Sequence, residues 1–293
     1  MLTLHSQKPV PPPRVVIMGA GGFVGRFSSK VLKESGSDVL DLTRRDVDLL
    51  ALSAASDLAS RLLPTDTLIV TSALAPVKSA AMLLDNLRMM QAVCEAVTAS
   101  PVAHLIYISS DAVYRDSAGP LSEDSCAEPG SLHGAMHITR EVMLKAGATT
   151  PLALVRPTLI FGTGDPHNGY GPNRFIRLAK QGKEIVLFGE GEERRDHVFI
   201  GDVAEIVRRC VFHRATGVVN AVSGTVTSFR EAAELAVELT GSSSKVVGSP
   251  RTGPMPHNGY RAFDAALLQK VFPDFSPTSL REGFSKMEGS CPV

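Results

Sequence analysis

One short segment constrains the fold of this chain more than any other, the sequence VVIMGAGGFVG at residues 15–25. An apolar run ends at Met18, and Gly19, Gly22 and Gly25 follow at three-residue intervals. An apolar run of this kind is typical of a buried strand, and the glycines that follow predict a tight turn into a helix. Glycine permits the sharp turn, and a later glycine lets the helix lie close to the strand. The segment therefore predicts a strand, a turn and a helix of the kind that begins a parallel α/β sheet.

The same turn has the chemistry of a phosphate-binding site. Backbone N–H groups at a helix N-terminus, together with the positive end of the helix dipole, favour an anion. The middle glycine lets the backbone approach a pyrophosphate, so we expect a dinucleotide to bind here. The expected contacts in this segment are Gly19, Gly22, Phe23, Val24 and Gly25. The alternative is a turn that binds nothing, and the pattern taken alone does not separate the two.

Strand-like and helix-like segments alternate through the first half of the chain. The strand-like runs are residues 15–18, 38–42, 67–72, 104–110 and 152–157, and the helical stretches include residues 81–97 and 132–145. This alternation predicts an α/β fold with a Rossmann-type, doubly wound parallel sheet. We expect residues 1–13 to form a flexible arm and residues 14–160 to form the dinucleotide-binding domain. Residues 161–293 are expected to form a smaller C-terminal substrate-binding subdomain, with segments that return to the first domain.

The end of the second strand-like run bears on which dinucleotide is preferred. NAD sites usually place Asp or Glu about 20 residues past the glycines to hold the ribose 2′-hydroxyl, whereas NADP sites place Arg there. Here the run ends in Thr43, Arg44 and Arg45, and Asp41 comes too early to be the ribose ligand. Because guanidinium binds phosphate bidentately, we expect NADP, with NAD possible; two solvated arginines are the alternative. Further cofactor contacts are expected at Asp48, Ser72 and Ala73.

Charge and cysteine content narrow the classes of function. The chain has 30 basic and 30 acidic residues and no basic run, which argues against a nucleic-acid partner. No apolar run reaches the roughly 18 residues that a membrane span requires, so we expect no membrane partner. The cysteines are scattered without metal-binding or redox spacing, which indicates unpaired thiols, a reducing compartment and a cytoplasmic location. They are Cys94, Cys126, Cys210 and Cys291.

Five motifs occur in a characteristic order along the chain. They are GAGGFVG at 19–25, SSDAVY at 109–114, RPTLIFG at 156–162, IVLFGEGEERRDHVFIGDVA at 185–204 and VVNAVSG at 218–224. Together they resemble the extended short-chain dehydrogenase/reductases, and in particular the NAD-dependent epimerase/dehydratases that act on nucleotide sugars. The resemblance covers roughly residues 14–288 and implies a nucleotide-sugar or related carbonyl substrate. It also implies a homodimer, for which the helix around Met89, Met90 and Val93 is the candidate.

The resemblance implies catalytic residues, and two positions depart from the family pattern. Ser110 matches the Ser or Thr that lies four residues before Tyr114, where its hydroxyl would bind the substrate oxygen; a cap on the following turn is the alternative. The family motif P-x-x-x-Y-G-x-x-K is met by Pro129, His133, Gly134 and His137, and Glu141 matches the Glu that usually follows. Histidines therefore stand where the family has its Tyr and Lys.

Two imidazoles one helical turn apart change the proton chemistry. Tyrosine, with a pKa near 10, needs the nearby ammonium to act at neutral pH, whereas histidine starts at about 6.5. Residues at i and i+4 share a helix face, so we expect His133 to donate a proton to a carbonyl and His137 to reach the nicotinamide ribose. Two such rings resist being charged together, so we expect one to stay neutral and one to titrate near about pH 6 to 7.

Two alternatives to this catalytic interpretation remain open. The helix is only structural in the first, and the protein is then a catalytically degenerate NADP-binding regulatory or scaffold protein. In the second, the HxxxH spacing binds zinc, which is disfavoured because no third ligand is evident nearby. We therefore expect no metal.

Substrate contacts are implied further along the chain. In the family segment G-x-G-x-x-x-R-D-x-x-x-V-x-D-V-A the arginine, here Arg195, binds the diphosphate of a nucleotide sugar. Asn173 and Arg261 match other diphosphate contacts, and Phe188 borders the base. A surface ion pair is the alternative for Arg195. Leu159 stands where the family often has an asparagine, which puts the sugar contacts on that side in doubt.

Overall fold

The structure, a computed structural model, describes residues 1–147, 149–166 and 169–288 and divides into two compact units. The first unit comprises Met1–Arg115, Glu123–Pro157 and Val203–Ala221. The second comprises Asp116–Ser122, Thr158–Asp202 and Val222–Val293. The division after Pro157 lies close to the boundary expected at residue 160. Val203–Ala221 is the segment that returns to the first unit, and Asp116–Ser122 leaves it for the second.

A single parallel sheet forms the centre of the first unit. Its strands are β1 (Arg14–Met18), β2 (Val39–Leu42), β3 (Asp66–Val70), β4 (His104–Ile108), β5 (Leu152–Pro157) and β9 (Gly217–Ala221). They are ordered β2-β1-β3-β4-β5-β9, and every neighbouring pair is parallel. Its helices are α1 (Phe23–Glu34), α2 (Ala54–Ala59), α3 (Ala80–Ala99), α4 (Leu132–Gly147) and most of α6 (Ile200–Phe212). The expected α/β, Rossmann-type fold is confirmed.

The strand order determines where a ligand can bind. From β1 the chain goes outward to β2 and then crosses to β3 on the other side of β1. In an open parallel sheet, ligands bind at the carboxyl ends of the strands where the order reverses in this way. The candidate crevice of the first unit therefore lies at the ends of β1 and β3.

Alternate residues of the strands pack against α2 and α3 to form the core of the first unit. Met89, Met90 and Val93 of α3 belong to this core, with exposed fractions of 8%, 0% and 0%. Their helical spacing reflects burial within the monomer, because an amphipathic helix turns its apolar face to its own sheet. These three side chains therefore face the core of their own subunit, whereas Leu84, 53% exposed, is an apolar residue of α3 that faces outward; the role of this helix in a homodimer stays a prediction.

The N-terminal segment, expected to be a flexible arm, is hydrogen-bonded to the first unit. The backbone of Thr3 pairs with that of Thr216 in both directions, at 2.8 and 2.9 Å. Further along, the N–H of His5 donates to the carbonyl of His213, and Leu2 is buried. These contacts hold the beginning of the chain beside the segment that leads into β9.

The second unit contains short strands and four helices in its described residues. The strands are β6 (Leu159–Phe161), β7 (Ile185–Phe188), β8 (Arg194–Phe199), β10 (Val226–Ser228), β11 (Val246–Ser249) and β12 (Tyr260–Arg261). The helices are α5 (Pro172–Lys180), α7 (Phe229–Thr240), α8 (Ala266–Val271) and α9 (Leu280–Glu288). β8 is the central strand, paired with β6, β10 and β12. An aromatic core, which includes Phe161, Phe175 and Phe284, packs the helices together.

His197 on β8 is a polar residue in this apolar interior. Its ring is 3% exposed and lies edge-on to Phe229, with ring centroids 5.7 Å apart. Neither ring nitrogen has a hydrogen-bond partner among the described residues. Burial, with a smaller effect from the charge of Arg195, lowers the pKa of His197 from 6.5 to about 3. The folded state therefore holds this ring neutral.

We expect His197→Phe to stabilise the protein by about 1 to 3 kcal/mol at neutral pH, because it removes unsatisfied buried polar atoms. Since the pKa of His197 is lower in the folded state than in the unfolded one, its contribution to stability is present above pH 6.5 and is lost as pH falls toward 3. Between about pH 7 and 5 the wild type should lose about 2 kcal/mol more than the variant. Urea unfolding at both pH values measures this difference. His5→Phe, at an exposed position, is the control; equal losses in wild type and His197→Phe would contradict the expectation.

Candidate active site

The glycine-rich turn links β1 to α1 and packs against the residues that follow β3. Gly19 has φ +99°, a conformation that L side chains rarely adopt, and a Cβ there would lie 2.6 Å from the backbone nitrogen of Ser72. A Cβ on Gly25 would lie 2.3 Å from the carbonyl oxygen of Gly19, so α1 packs directly on the turn. Gly22 precedes α1 and has no side chain to cap it, which leaves N–H groups of the first turn available to an anion.

A cavity of about 480 Å³ opens at the carboxyl ends of β1, β2 and β3. Most of the cofactor contacts expected from the sequence line it: Gly19, Gly22, Thr43, Arg44, Arg45, Asp48, Ser72 and Ala73. Of the remaining ones, Phe23, Val24 and Gly25 form the first turn of α1, and His137 lies on α4 and does not line this cavity. Leu49, Leu50, Leu74 and Met89 add an apolar wall. The cavity thus combines a turn suited to phosphate with apolar surface suited to a flat ring.

The loop after β2 presents arginine to this cavity. The backbone and hydroxyl of Thr43 both donate to Asp46, at 2.8 and 2.7 Å, and these bonds lower the pKa of Asp46. Arg44 pairs with Asp48 at 3.2 Å, and its side chain is 74% exposed. Asp41 accepts hydrogen bonds from Ser29 and Lys33. Asp41 is therefore bound to α1, and Arg44 and Arg45 lie at the cavity edge beside Asp48, where their guanidinium groups fit a 2′-phosphate.

Ser110 follows β4 and caps a short 3₁₀ turn, Asp111–Val113. Its hydroxyl accepts from the N–H of Ala112 at 3.1 Å and donates weakly to Asp111 at 3.4 Å. Ser110 therefore caps the following turn in this structure, which is the alternative to binding the substrate oxygen. The turn lies directly against α4, because a Cβ on Gly134 would be 2.0 Å from the carbonyl oxygen of Ala112. Glycine at position 134 is what brings α4 and the Ser110 turn together.

The two histidines of α4 stack edge to face. The ring centroids of His133 and His137 are 4.8 Å apart with an interplanar angle of 89°. His133 is half-buried, whereas His137 is 6% exposed and its Nδ1 lies 2.7 Å from the Oη of Tyr107 on β4. Burial, and then the charges of His133 and Arg140, lower the pKa of His137 well below 6.5. His137 is therefore the neutral member of the pair that the sequence could not assign.

Two neighbours of His137 were not expected from the sequence. Tyr107 lies in the buried strand β4, and its position in the sequence does not indicate that it contacts α4. Arg140 is completely buried; its Nη2 donates to the carbonyl oxygen of Ser72 at 2.8 Å, and its Cζ lies 5.2 Å from the ring centroid of Tyr107. The sequence does carry one signal for Arg140. It follows His133 by seven residues, about two helical turns, and therefore lies on nearly the same face of α4.

A buried ion pair fixes the other side of α4. Glu141 is fully buried and accepts from Arg156 through both of its oxygens, one of these bonds being 2.8 Å, and from Ser109 at 2.6 Å. Arg156 lies over the ring of Tyr114, whose hydroxyl donates to Asn220 at 2.7 Å. This network ties α4 to β4 and β5, so the histidines are held on a fixed helix.

The expected substrate residues lie in the second unit. Arg195 and Arg261 are register partners on β8 and β12, which puts the two arginines side by side. The Nε of Arg195 donates to Glu193 at 2.7 Å, and Arg261 donates to Asp116 at 2.7 Å. His257, which was not expected, also bonds Asp116; burial and then the charge of Arg195 lower its pKa. His257 and Arg261 thus share Asp116, while Arg195, beside Arg261, is paired with Glu193.

Asn173 and Phe188, the other two expected substrate residues, have different surroundings in the second unit. The Oδ1 of Asn173 accepts from the N–H of Gly162 at 2.8 Å, and its amide donates to Asp165 at 3.0 Å. The side chain of Asn173 is therefore engaged in holding its own loop. Phe188 is 53% exposed and packs on Tyr170, with ring centroids 4.5 Å apart, so an open aromatic face is presented. Leu159 is 38% exposed.

The described residues contain no group of three or more His, Cys, Asp or Glu side chains arranged to hold a metal ion. Within the same residues, no helix combines the length and the apolar character needed to cross a bilayer. Cys94, Cys126 and Cys210 are free thiols, and Cys291 lies outside the described residues.

Comparison with known families tests the family resemblance that the sequence motifs suggest. Residues 15–222 match the NAD dependent epimerase/dehydratase family. The chain belongs to this family. The glycine-rich turn is present in this member, and the sequence motif predicts that His133 and His137 take the positions of the family's Tyr and Lys.

Individual relatives agree with this assignment. UDP-N-acetyl-alpha-D-glucosaminuronate decarboxylase from Bacillus cytotoxicus is 30% identical over 165 residues, 52% of this chain and 51% of that enzyme. The chain thus spans about half the length of this curated relative. UDP-glucose 4-epimerase from Thermus thermophilus, solved in complex with NAD, is 20% identical with a TM-score of 0.80 and coverage of 95% of this chain and 100% of that chain. A GDP-L-fucose synthetase from Naegleria fowleri, solved bound to NADP, is 17% identical with a TM-score of 0.81, covering 96% and 94%. At such identities the structural likeness shows the fold alone.

Proposed function

We propose that this protein is an NAD(P)-dependent oxidoreductase or epimerase-like enzyme that acts on a nucleotide sugar or a related carbonyl compound, with NADP preferred. The observation that carries the proposal is the cavity at the carboxyl ends of β1, β2 and β3, where a glycine turn and two arginines meet an apolar wall. The histidines of α4 belong to the same unit, and Arg140 of that helix bonds the backbone of Ser72, which lines the cavity.

The residues present fit a nicotinamide dinucleotide. The turn at Gly19 and Gly22 and the first turn of α1, including Phe23 and Val24, would hold the pyrophosphate. Arg44 and Arg45 would bind a 2′-phosphate, because guanidinium offers paired donors to paired oxygens. Ser72 and Ala73 would border the nicotinamide half. When bound, such a cofactor supplies reversible hydride transfer.

The chain's own residues would manage the substrate oxygen and its proton. Ser110 would bind the oxygen after turning from its capping bond to Ala112, which costs little because a hydroxyl cap is weak. His133, half-buried and one turn before a neutral His137, would donate and accept the proton. His137 would reach the nicotinamide ribose as an uncharged hydrogen-bonding group.

A nucleoside diphosphate sugar is the substrate class that the second unit supports. Arg195 and Arg261 lie side by side and offer guanidinium groups to a diphosphate, and Phe188 offers an exposed ring to a base. Asn173 would act by holding the loop near Gly162 and Asp165. The names of relatives agree with this class, since they act on or bind UDP-, dTDP- and GDP-sugars. A homodimer and a cytoplasmic location stay predictions.

The cofactor preference is tested by the double variant Arg44→Ala/Arg45→Ala. We expect the Kd for NADPH to rise about 10- to 100-fold, because hydrogen bonds to a charged group contribute about 1.5–3 kcal/mol. The Kd for NADH should change by less than about twofold, since NADH lacks the 2′-phosphate. Fluorescence titration with NADPH and with NADH measures the two Kd values. Arg88→Ala, which removes an exposed arginine of α3 paired with Asp85, is the matched control and should alter neither. Equal weakening of NADH and NADPH would contradict the assignment.

Turnover is tested on a panel of UDP-, dTDP- and GDP-sugars with both nucleotides, by following absorbance of the reduced cofactor and separating the sugars produced. Conversion of any panel sugar supports the enzyme. One observation favours the alternative, a cofactor-binding scaffold: the hydroxyl of Ser110 is already used in its turn. Tight NADPH binding with no conversion of any sugar would establish that alternative over the enzyme.

A further inference from the structure

The hydrogen bond between Tyr107 and His137 is buried and isolated from water. Oη of Tyr107 and Nδ1 of His137 are 2.7 Å apart, and the two residues are 1% and 6% exposed. Neutral imidazole has one nitrogen that donates and one that accepts, so the direction of this bond determines which nitrogen of His137 carries the proton.

The surroundings of Tyr107 determine that direction. Within the described part of the chain, Nδ1 of His137 is the acceptor within reach of the tyrosine hydroxyl. If Nδ1–H donated instead, the buried O–H would have no acceptor, at a cost of about 1–3 kcal/mol. Burial also raises the pKa of Tyr107 to about 12, so the phenol keeps its proton. Tyr107 therefore donates, Nδ1 accepts, and the proton of His137 is on Nε2.

Arg140 brings a permanent positive charge to the same place. Its side chain is completely buried, and in the part of the chain that the structure describes no carboxylate pairs with it. The neighbouring Glu141 is committed to Arg156 and Ser109. Arg140 bonds the carbonyl of Ser72, lies against the ring of Tyr107 and leaves its Nε without a partner. A buried, uncompensated charge is costly, which indicates a role beyond packing.

We infer that Tyr107 and Arg140 are positioning residues that together replace the family lysine: Tyr107 sets His137 as a donor through Nε2–H, and Arg140 supplies the positive charge. This inference rests on the proposed function, because it assigns His137 a task toward the cofactor. The charged and titratable groups that face His137 are His133 and Arg140 on α4 and Tyr107 on β4. Burial, and then the charges of His133 and Arg140, disfavour a protonated His137, so the ring donates a hydrogen bond without becoming an acid.

The tautomer of His137 is measured directly by NMR of the imidazole nitrogens in the full ¹⁵N-labelled chain, with His137→Gln used to assign its signals. We expect a neutral ring protonated at Nε2 at about pH 8, and still neutral as the pH falls through the ordinary titration range of histidine. A ring protonated at Nδ1, or one that titrates near about 6.5, would overturn the inference. The tautomer is read in the wild-type chain, so the result does not depend on whether Tyr107→Phe or Arg140→Met folds.

Two variants separate the roles. Tyr107→Phe should give His137 a mixture of tautomers and lower kcat about tenfold, equivalent to about 1.4 kcal/mol, with the Kd for NADPH nearly unchanged. Arg140→Met should bring the titration of His137 back toward its ordinary range. Val142→Ala, exposed on α4, is the control and should change neither property. An unchanged tautomer in Tyr107→Phe would overturn the inference. If the wild-type chain does not bind NADPH, the proposed function is refuted, whereas the measured tautomer of His137 is still valid.

Discussion

His133→Phe is expected to lower kcat by about 10²- to 10⁴-fold, the usual contribution of a positioned general acid or base. Phenylalanine keeps the ring shape and the edge-to-face contact with His137, so the helix should not change. The Kd for NADPH should stay within about twofold, because the expected cofactor contacts lie in the turn and the loop after β2. Stopped assays on a converted sugar, with NADPH titration in parallel, measure both quantities.

The control for this variant is Val142→Ala, on the exposed face of the same helix. A kcat of His133→Phe within tenfold of wild type would show that another group moves the proton. The wild-type pH profile supplies a second check, since an imidazole acid or base gives a profile that changes between about pH 5 and 9. A flat profile over that range would also exclude His133.

Glu141→Ala should destabilise the protein by about 3–5 kcal/mol, because it leaves the guanidinium of Arg156 buried without its partner. The side chains of Glu141 and Arg156 are 0% and 4% exposed, so water cannot replace the lost carboxylate. The hydroxyl of Ser109 loses its acceptor as well. Unfolding in urea, or loss of soluble folded protein in expression trials, measures this effect.

A double variant keeps this expectation testable if the single variant does not fold. Glu141→Leu/Arg156→Met removes both charges and should recover most of the lost stability, since a buried ion pair contributes little over apolar residues of similar size. Asp85→Ala breaks the exposed pair with Arg88 on α3 and should cost no more than about 1 kcal/mol. A loss of about 1 kcal/mol or less in Glu141→Ala would contradict the expectation.

Local patterns predicted the parallel sheet and the glycine-rich turn after β1. β1, β3, β4 and β5 coincide with the apolar runs, because a parallel strand buried on both faces is apolar almost throughout. α3 and α4 coincide with the amphipathic stretches, because burial of one helix face leaves a helical period. The glycine spacing placed the turn at Gly19 for a similar reason, since only glycine fits where Ser72 and the helix approach. These features depend on residues close in sequence.

Other features depended on which distant segments meet. Met89, Met90 and Val93 have the same spacing whether they face a partner subunit or their own sheet, and the fold turned them inward. Residues 1–13 looked like an arm because their hydrogen-bond partners near Thr216 lie far along the chain. His257 joined Arg195 and Arg261 only through the pairing of β8 with β12.

The sequence by itself determined the architecture and the glycine-rich turn after β1, and its motifs predict that His133 and His137 replace the family's Tyr and Lys. Only the tertiary structure decided how the two imidazoles differ. A pKa and a tautomer depend on burial and on the charges within a few ångströms, and for His137 these come from Tyr107 on β4 and the buried Arg140. Spacing along a helix reports which residues share a face, but not what that face is packed against.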